Sequence, residues 1–137
     1  MPVNRGQQSF VLRAALRHLD RWARGGAPPP PAPRLQTTDE GFVLDDNGNA
    51  RGGVRTPAVE APVATLSGRP WPGASIACRL FGSTVALPDA RLRELYADRD
   101  AYLAAYARAA DAAIGAGFVL AEDRDALLAE AEPGLVP

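Results

Sequence analysis

Proline and glycine constrain the fold of this chain most, because they are concentrated in its middle. The chain has 137 residues, of which 13 are proline and 13 are glycine. Five prolines stand between Ala27 and Pro33, and the next ones are Pro57, Pro62, Pro70 and Pro72. Proline lacks an amide hydrogen and glycine weakens regular elements, so long helices and central strands are disfavoured here. We therefore expect a mostly irregular Pro/Gly-rich wrap over residues 25–87.

The segment before this region has the periodicity of an amphipathic helix. Ser9 is a suitable N-cap for a helix over residues 9–24, and Gly25-Gly26 ends it because glycine accepts the left-handed conformation. The apolar face consists of Val11, Leu12, Ala15, Leu16, Leu19, Trp22 and Ala23, at the 3.6-residue spacing of a helix. This face predicts a partner surface larger than the segment that follows it.

The last third of the chain, residues 88–132, also has helical periodicity. A short helix is expected from Asp89 to about Tyr96. Asp98 then caps a longer helix over residues 99–114, and a final helix covers about 122–131. The apolar face of the longer helix consists of Tyr102, Leu103, Tyr106, Ala110, Ala113 and Ile114. The sequence thus predicts an α+β chain with helices at both ends.

Local signals divide the middle region further. Phe42-Val43-Leu44 and residues 49–54 flank Asp45-Asp46-Asn47-Gly48, and Asn-Gly favours a tight hairpin because both residues tolerate positive φ. A short strand is predicted over Ala74–Phe81. The proline run at 27–33 predicts a stiff polyproline connector, with a ligand for a proline-reading domain as the alternative.

Charge and hydropathy exclude several partners. The net charge is −1, so no excess of either sign exists to attract nucleic acid or an anionic membrane. All 15 basic residues are arginine, a bias that we attribute to a GC-rich genome. No apolar run approaches the roughly 18–20 residues of a membrane span, and the N-terminal residues lack the layout of a signal peptide. A cytoplasmic location is the default expectation.

The residues needed for nucleophilic catalysis are not found together. The nucleophile pattern G-x-S-x-G is absent. The only histidine, His18, stands between the apolar and arginine-rich faces of the first helix, which predicts an interface-edge or surface side chain rather than a general base. The only cysteine, Cys78, cannot form an internal disulfide and is predicted to be a buried structural thiol. We expect no catalytic residue in this chain.

No metal or cofactor site is predicted either. Asp45, Asp46 and Asn47 lack the 12-residue spacing of a calcium loop, so a turn is the better interpretation. The acids Glu122 and Asp123 stand at the start of a predicted helix, where capping explains them. No glycine-rich phosphate loop follows a strand.

One short motif is a candidate pocket or structural site. Gly52, Gly53, Arg55 and Thr56 place a bulky arginine among residues that fix the backbone. A structural salt bridge or a carbonyl-binding role is the first interpretation of Arg55. The second is that this motif lines the pocket of a larger protein.

Several segments, taken in order, resemble the late part of a bacterial family called alpha/beta hydrolase domain proteins. The resemblance extends from about Pro2 to Ala131. It is carried by residues 16–30, 47–57, 62–68, 78–84 and 95–118. Each motif is short, and the specificity lies in their ordered succession.

This resemblance implies a C-terminal segment of a longer hydrolase-like protein that acts on ester bonds. In that family the nucleophile and the catalytic histidine lie upstream of the segments matched here. The resemblance therefore implies residues 1–137 as a single C-terminal segment, inactive alone, whose partner is a hydrolase core missing from this chain. A chain that starts almost directly with a helix, without a leading strand, suits this interpretation.

Two other functions stay open at this point. The chain could be a small helical interaction module whose proline run or apolar face binds a partner. It could also be a subunit that completes a split hydrolase in trans. Under the leading hypothesis, Val11, Leu12, Leu19 and Trp22 are exposed in the isolated chain, and a large apolar patch of this kind marks a missing partner.

Overall fold

The computed structural model describes residues 3–69 and 76–137, and its first element is helix α1 (Gln8–Ala23). The prediction that Ser9 caps this helix is wrong, because the N-cap position is Gln7 and Ser9 lies inside the first turn. At the other end the Gly25 N–H donates to the Trp22 carbonyl and the Gly26 N–H to the Arg21 carbonyl. Gly25 has φ of 87°, so the helix ends in a Schellman motif.

The middle of the chain has more regular structure than we predicted. Strands β1 (Thr37–Thr38) and β2 (Gly41–Phe42) pair in antiparallel fashion. The predicted hairpin follows, with a bridge between Leu44 and Ala50. Only its glycine is left-handed: Gly48 has φ of 77°, whereas Asn47 does not have positive φ. The turn is held by two backbone N–H groups that donate to the Asp45 carboxylate, so Asn47 does not need the left-handed conformation.

A second small sheet follows a short helix, α2 (Pro57–Glu60). Strand β3 (Ala64–Ser67) pairs antiparallel with strand β4 (Ser83–Ala86). The strand predicted over Ala74–Phe81 is wrong. Residues 74 and 75 lie outside the described residues, and the rest of that segment is helix α3 (Ile76–Phe81). Gly82, with φ of 71°, separates this helix from the strand that follows it.

The first two helices of the last third begin at the aspartates that predicted them, Asp89 and the N-cap Asp98. Helix α4 spans Asp89–Leu95 and helix α5 spans Arg99–Gly115. The Asp98 carboxylate accepts from the Ala101 N–H at 2.8 Å, which is an N-cap hydrogen bond. The last predicted helix is shorter than expected, because a 3-10 turn at Ala121–Asp123 precedes helix α6 (Arg124–Leu128).

Helix α5 organises the core, because both buried clusters pack on it. One cluster joins α5 to α2, α4 and the C-terminal Val136, and contains Ala61, Val63, Leu87, Leu92, Tyr96, Tyr102, Tyr106 and Val136. The other joins α5 to α1 and α6, and contains Phe10, Ala110, Ala113, Val119 and Leu127. The result is a small mixed α+β fold whose two sheets lie beside a helical core. In residues 3–69 and 76–137, no helix is long and apolar enough to cross a membrane.

The residues that lead into α1 lie against strand β4. The Asn4 N–H donates to the Phe81 carbonyl at 3.3 Å, and the Arg5 N–H donates to the Thr84 hydroxyl at 3.0 Å. That hydroxyl in turn donates to the Val3 carbonyl at 2.9 Å. This path places Gln7, which is 4% exposed, between α2 and α5.

Candidate functional site

A polar cavity of about 510 Å³ lies where the N-terminal residues, α2, β3 and the end of α6 meet. Small apolar side chains from 58–64 and 129–131 form part of its wall. The polar groups that line it include Arg5, Gln7, Tyr102, Tyr106, Glu130 and Glu132. Its volume is within the range of small-molecule sites in proteins, about 300–1,000 Å³.

The Gln7 side chain is held in one orientation by three partners. Its carbonyl oxygen accepts from the Ala58 N–H at 3.2 Å. Its Nε2 donates to the Tyr106 hydroxyl at 2.7 Å and to the Glu130 carboxylate at 2.9 Å. A backbone N–H can only donate and a carboxylate can only accept, so the amide cannot be flipped. Both N–H hydrogens of the amide are therefore used.

Three tyrosines stack beside this cavity in edge-to-face pairs. The ring centroids of Tyr96 and Tyr102 are 5.2 Å apart, and those of Tyr102 and Tyr106 are 5.8 Å apart. Burial raises the pKa of all three hydroxyl groups above the ordinary tyrosine value, because the charged phenolate is poorly solvated there. The hydroxyl groups therefore keep their protons at neutral pH.

An apolar groove of about 470 Å³ runs along the outer side of α1. Val11, Leu12 and Ala15 form one wall, and Val54, Val59 and Leu66 form the other. The same helix carries four large exposed side chains, of which the first also lines the groove: Leu12 is 60% exposed, Leu16 56%, Leu19 51% and Trp22 53%. We call these four residues the outer face of α1. It coincides with much of the apolar face read from the sequence.

Arg55 holds the hairpin against α2. Its Nη2 donates to the Asp45 carboxylate at 2.8 Å and to the Val59 carbonyl at 3.3 Å. Its other donors bind the Glu60 carboxylate and the Ala50 carbonyl. Partial burial by itself would raise the pKa of Asp45, but the hydrogen bonds from Arg55 and from two backbone N–H groups outweigh it and lower that pKa.

The other residues of this motif shape the backbone around Arg55. Gly52 and Gly53 have φ of 77° and 70°, and a side chain at Gly52 would collide with the Arg34 carbonyl. Thr56 is buried and stands at the N-cap of α2. The lining of the described cavities includes Thr56, in the apolar groove, but neither glycine nor Arg55.

The remaining candidate residues have local partners. His18 is half-buried, and its Nε2 lies 2.9 Å from the carbonyl of Gly117, in the turn after α5. Pro30 of the proline run lines the same small pocket. Glu122 and Asp123 pair with Arg17 and Arg13 of α1 at 2.8 and 3.0 Å. The burial predicted for Cys78 concerns a side chain outside the described ones.

No group of three His, Cys, Asp or Glu side chains in the described ranges could hold a metal ion. Asp45, which stood in the loop considered for calcium, is instead the partner of Arg55 at 2.8 Å. The acids at 122 and 123 form ion pairs with α1. The carboxylates predicted to be structural thus have basic or backbone partners in the folded chain.

The comparison with known families decides where this chain belongs. The profile of a family described as alpha/beta hydrolase domain matches residues 1–129, which is nearly the whole chain. The chain belongs to the alpha/beta hydrolase domain family. The family resemblance read from the sequence is therefore confirmed.

No curated protein and no solved structure matches this chain. The family match covers α1, both sheets and α5. It includes the outer face of α1 and most of the polar cavity.

Sequence reasoning missed the polar cavity of this alpha/beta hydrolase domain. Gln7 was not singled out, and Tyr102 and Tyr106 were noted only as members of a helix face. The i, i+4 spacing of these tyrosines on α5 was the one available signal, because it places two phenol groups on one side of a helix. Glu130 and Glu132 are more than 120 residues from Gln7, and no local pattern connects them.

Proposed function

We propose that this chain is the C-terminal segment of a hydrolase-like protein, inactive on esters by itself. In this proposal the outer face of α1 packs on a hydrolase core that supplies the nucleophile and the catalytic histidine. The single observation that supports it is the exposure of Leu12, Leu16, Leu19 and Trp22 on one helix. Membership of the alpha/beta hydrolase domain family supports a hydrolase core as that partner.

The energetics of the outer face favour a covering partner. Complete burial of a leucine side chain stabilises a structure by about 1.5–3 kcal/mol relative to exposure. Three leucines and a tryptophan on one helix therefore leave a large apolar surface in water. The adjoining groove continues this surface over Val54, Val59 and Leu66. A contiguous apolar surface, unlike single exposed apolar residues, is typical of an interaction site.

The first test is hydrolysis of a short-chain chromogenic ester by the purified 137-residue chain. We expect no turnover above that of a heat-denatured sample. Turnover that is lost in His18→Ala or Cys78→Ala would overturn the proposal, because it would reveal a catalytic site within this chain.

The second test is co-purification with the polypeptide encoded directly upstream. We expect a stable complex that hydrolyses the ester and that is lost in the double variant Leu16→Gln/Leu19→Gln. Leu103 is the matched control, since it is also an exposed leucine, at 40%, but lies on α5. Leu103→Gln should leave the complex intact. Equal effects of the two changes would contradict a specific role for the outer face.

A second candidate function is an independent interaction module whose outer face binds an unrelated partner. It is favoured by the two buried clusters that the chain forms from its own residues. The co-purification experiment separates the two functions. A complex with esterase activity supports the hydrolase segment, or the related case of a split hydrolase completed in trans.

A further inference from the structure

The polar cavity is lined by two buried hydroxyl groups, each of which accepts a hydrogen bond but donates none in the described part of the chain. The first belongs to Tyr106, which is 2% exposed. Its oxygen accepts from the Gln7 amide at 2.7 Å, and the fixed orientation of that amide excludes the reverse direction. The hydroxyl hydrogen of Tyr106 must therefore point elsewhere, and this hydroxyl donates no hydrogen bond within residues 3–69 and 76–137.

The second donor belongs to Tyr102, which is 1% exposed. Its oxygen accepts from the Glu132 N–H at 3.0 Å. A backbone N–H cannot accept, so the Tyr102 hydrogen is also directed away from this partner. By contrast, Tyr96 donates its hydrogen to the Pro62 carbonyl at 3.1 Å. The two tyrosines without an acceptor are those that line the cavity.

Such a cavity favours an occupant that brings an acceptor. Leaving a buried hydroxyl donor without a partner costs about 1–3 kcal/mol. A carbonyl oxygen has two lone pairs and can accept from two donors.

The acids at the cavity disfavour an anionic occupant. Glu132 is paired with Arg5 at 2.8 Å, whereas the partner of Glu130 is the neutral Gln7 amide. The net charge of the three ionised lining groups is thus negative, and an anion would be repelled. Glu130 is exposed at the cavity mouth and can accept a hydrogen bond from an N–H group.

We infer that this cavity binds a small neutral carboxamide. Its carbonyl oxygen accepts from the Tyr102 and Tyr106 hydroxyls, and its N–H donates to Glu130. Since the site lies between α2, α5 and the end of α6, away from the outer face of α1, the inference does not depend on the proposed hydrolase function.

The test is a titration of the full chain, with ¹³C-labelled tyrosine rings observed by NMR. The chain has three tyrosines, and their different surroundings should give them separate signals. The probes are benzamide, benzoate and toluene, which share a ring and differ in the polar group. We expect benzamide to shift the Tyr102 and Tyr106 signals saturably, benzoate to bind at least about tenfold more weakly because of the Glu130 charge, and toluene to bind weakly as well.

Single hydroxyl deletions test the geometry. Tyr102→Phe and Tyr106→Phe should each weaken benzamide binding about tenfold, the effect of one lost hydrogen bond. Tyr96→Phe is the matched control and should leave the affinity unchanged. Glu130→Gln should strengthen benzoate binding, because it removes a negative charge from the cavity. This variant keeps the proposal testable if circular dichroism shows that a tyrosine variant is unfolded.

Three results would overturn the inference. The first is the absence of a saturable shift with benzamide, which would mean that water alone satisfies the two hydroxyls. The second is equal binding of benzamide and toluene. The third is an unchanged benzamide affinity in both folded tyrosine-to-phenylalanine variants.

Discussion

At the scale of single residues, the positive-φ glycines differ in what surrounds them. A Cβ atom built on Gly52 would collide with the Arg34 carbonyl, and one on Gly82 would collide with the Ser67 carbonyl. Gly25 also has positive φ, at 87°, but nothing lies within 4 Å of its Cβ position. The same residue type thus has a conformational role at Gly25 and a packing role as well at Gly52 and Gly82.

Alanine substitutions separate these two roles. Gly25→Ala should reduce the free energy of unfolding by about 1–2 kcal/mol, the cost of a left-handed alanine. Gly52→Ala should cost at least about twice as much, because the backbone must also move away from Arg34. Gly134→Ala is the control with neither feature and should change little. Chemical denaturation measures all three, and equal losses at 25 and 52 would show that the predicted collision is relieved without cost.

At the scale of elements, the buried side of α1 differs from the wide apolar face that its sequence predicts. Phe10 and Ala14 are its buried residues, and with the half-buried His18 they form a narrow strip at i, i+4 spacing. This strip packs against the buried residues of α5 and α6. Arg13 and Arg17 strengthen the contact through ion pairs with residues 122 and 123. The wider apolar face, which includes the outer face of α1, stays largely exposed.

Truncations on the two sides of α1 should therefore have unequal effects on the isolated chain. Phe10→Ala removes a buried ring and should cost about 3–5 kcal/mol. Leu19→Ala removes an exposed side chain and should change the free energy of unfolding by less than about 0.5 kcal/mol. Urea denaturation of the purified chain is the measurement. A loss of several kcal/mol in Leu19→Ala would mean that the outer face is covered in solution.

At the scale of the whole molecule, one aromatic stack joins the helical end to the N-terminal residues. Tyr96, Tyr102 and Tyr106 are all buried. They contact α2, the C-terminal segment and Gln7 through their rings and hydroxyls. Since these are all the tyrosines of the chain, the ionisation of tyrosine reports on the folded core alone.

This arrangement predicts the alkaline limit of stability. Burial raises the pKa of each tyrosine in the folded state, so the unfolded chain releases these protons first. The stabilisation is complete below the unfolded tyrosine pKa of about 10 and is lost as the pH rises above it. We expect tyrosinate absorbance to appear together with loss of the helical circular dichroism signal. Tyrosinate that forms near pH 10 in a fully helical protein would contradict the buried stack.

The polar cavity shows which contacts local sequence patterns can predict and which they cannot. The sequence indicated that Tyr102 and Tyr106 share a helix face, and the structure buries both. It did not indicate that Gln7 would meet them, since the contact joins residues 99 positions apart. The Arg55 motif is intermediate, because most of its partners lie within 10 positions along the chain. Local partners can be foreseen from spacing, whereas distant ones depend on the fold.

The sequence by itself determined the helices at the two ends, because periodicity, the Asp98 cap and the terminal glycines act within a few residues. It also determined the family, through an ordered succession of short motifs. Only the tertiary structure decided that Ile76–Phe81 is a helix and Ser83–Ala86 a strand, since strand pairing with Ala64–Ser67 overrides weak local preferences. It also decided which side of α1 is buried. A hydrophobic pattern shows which face prefers to leave water, but the surface that covers it is chosen by residues far away in the chain.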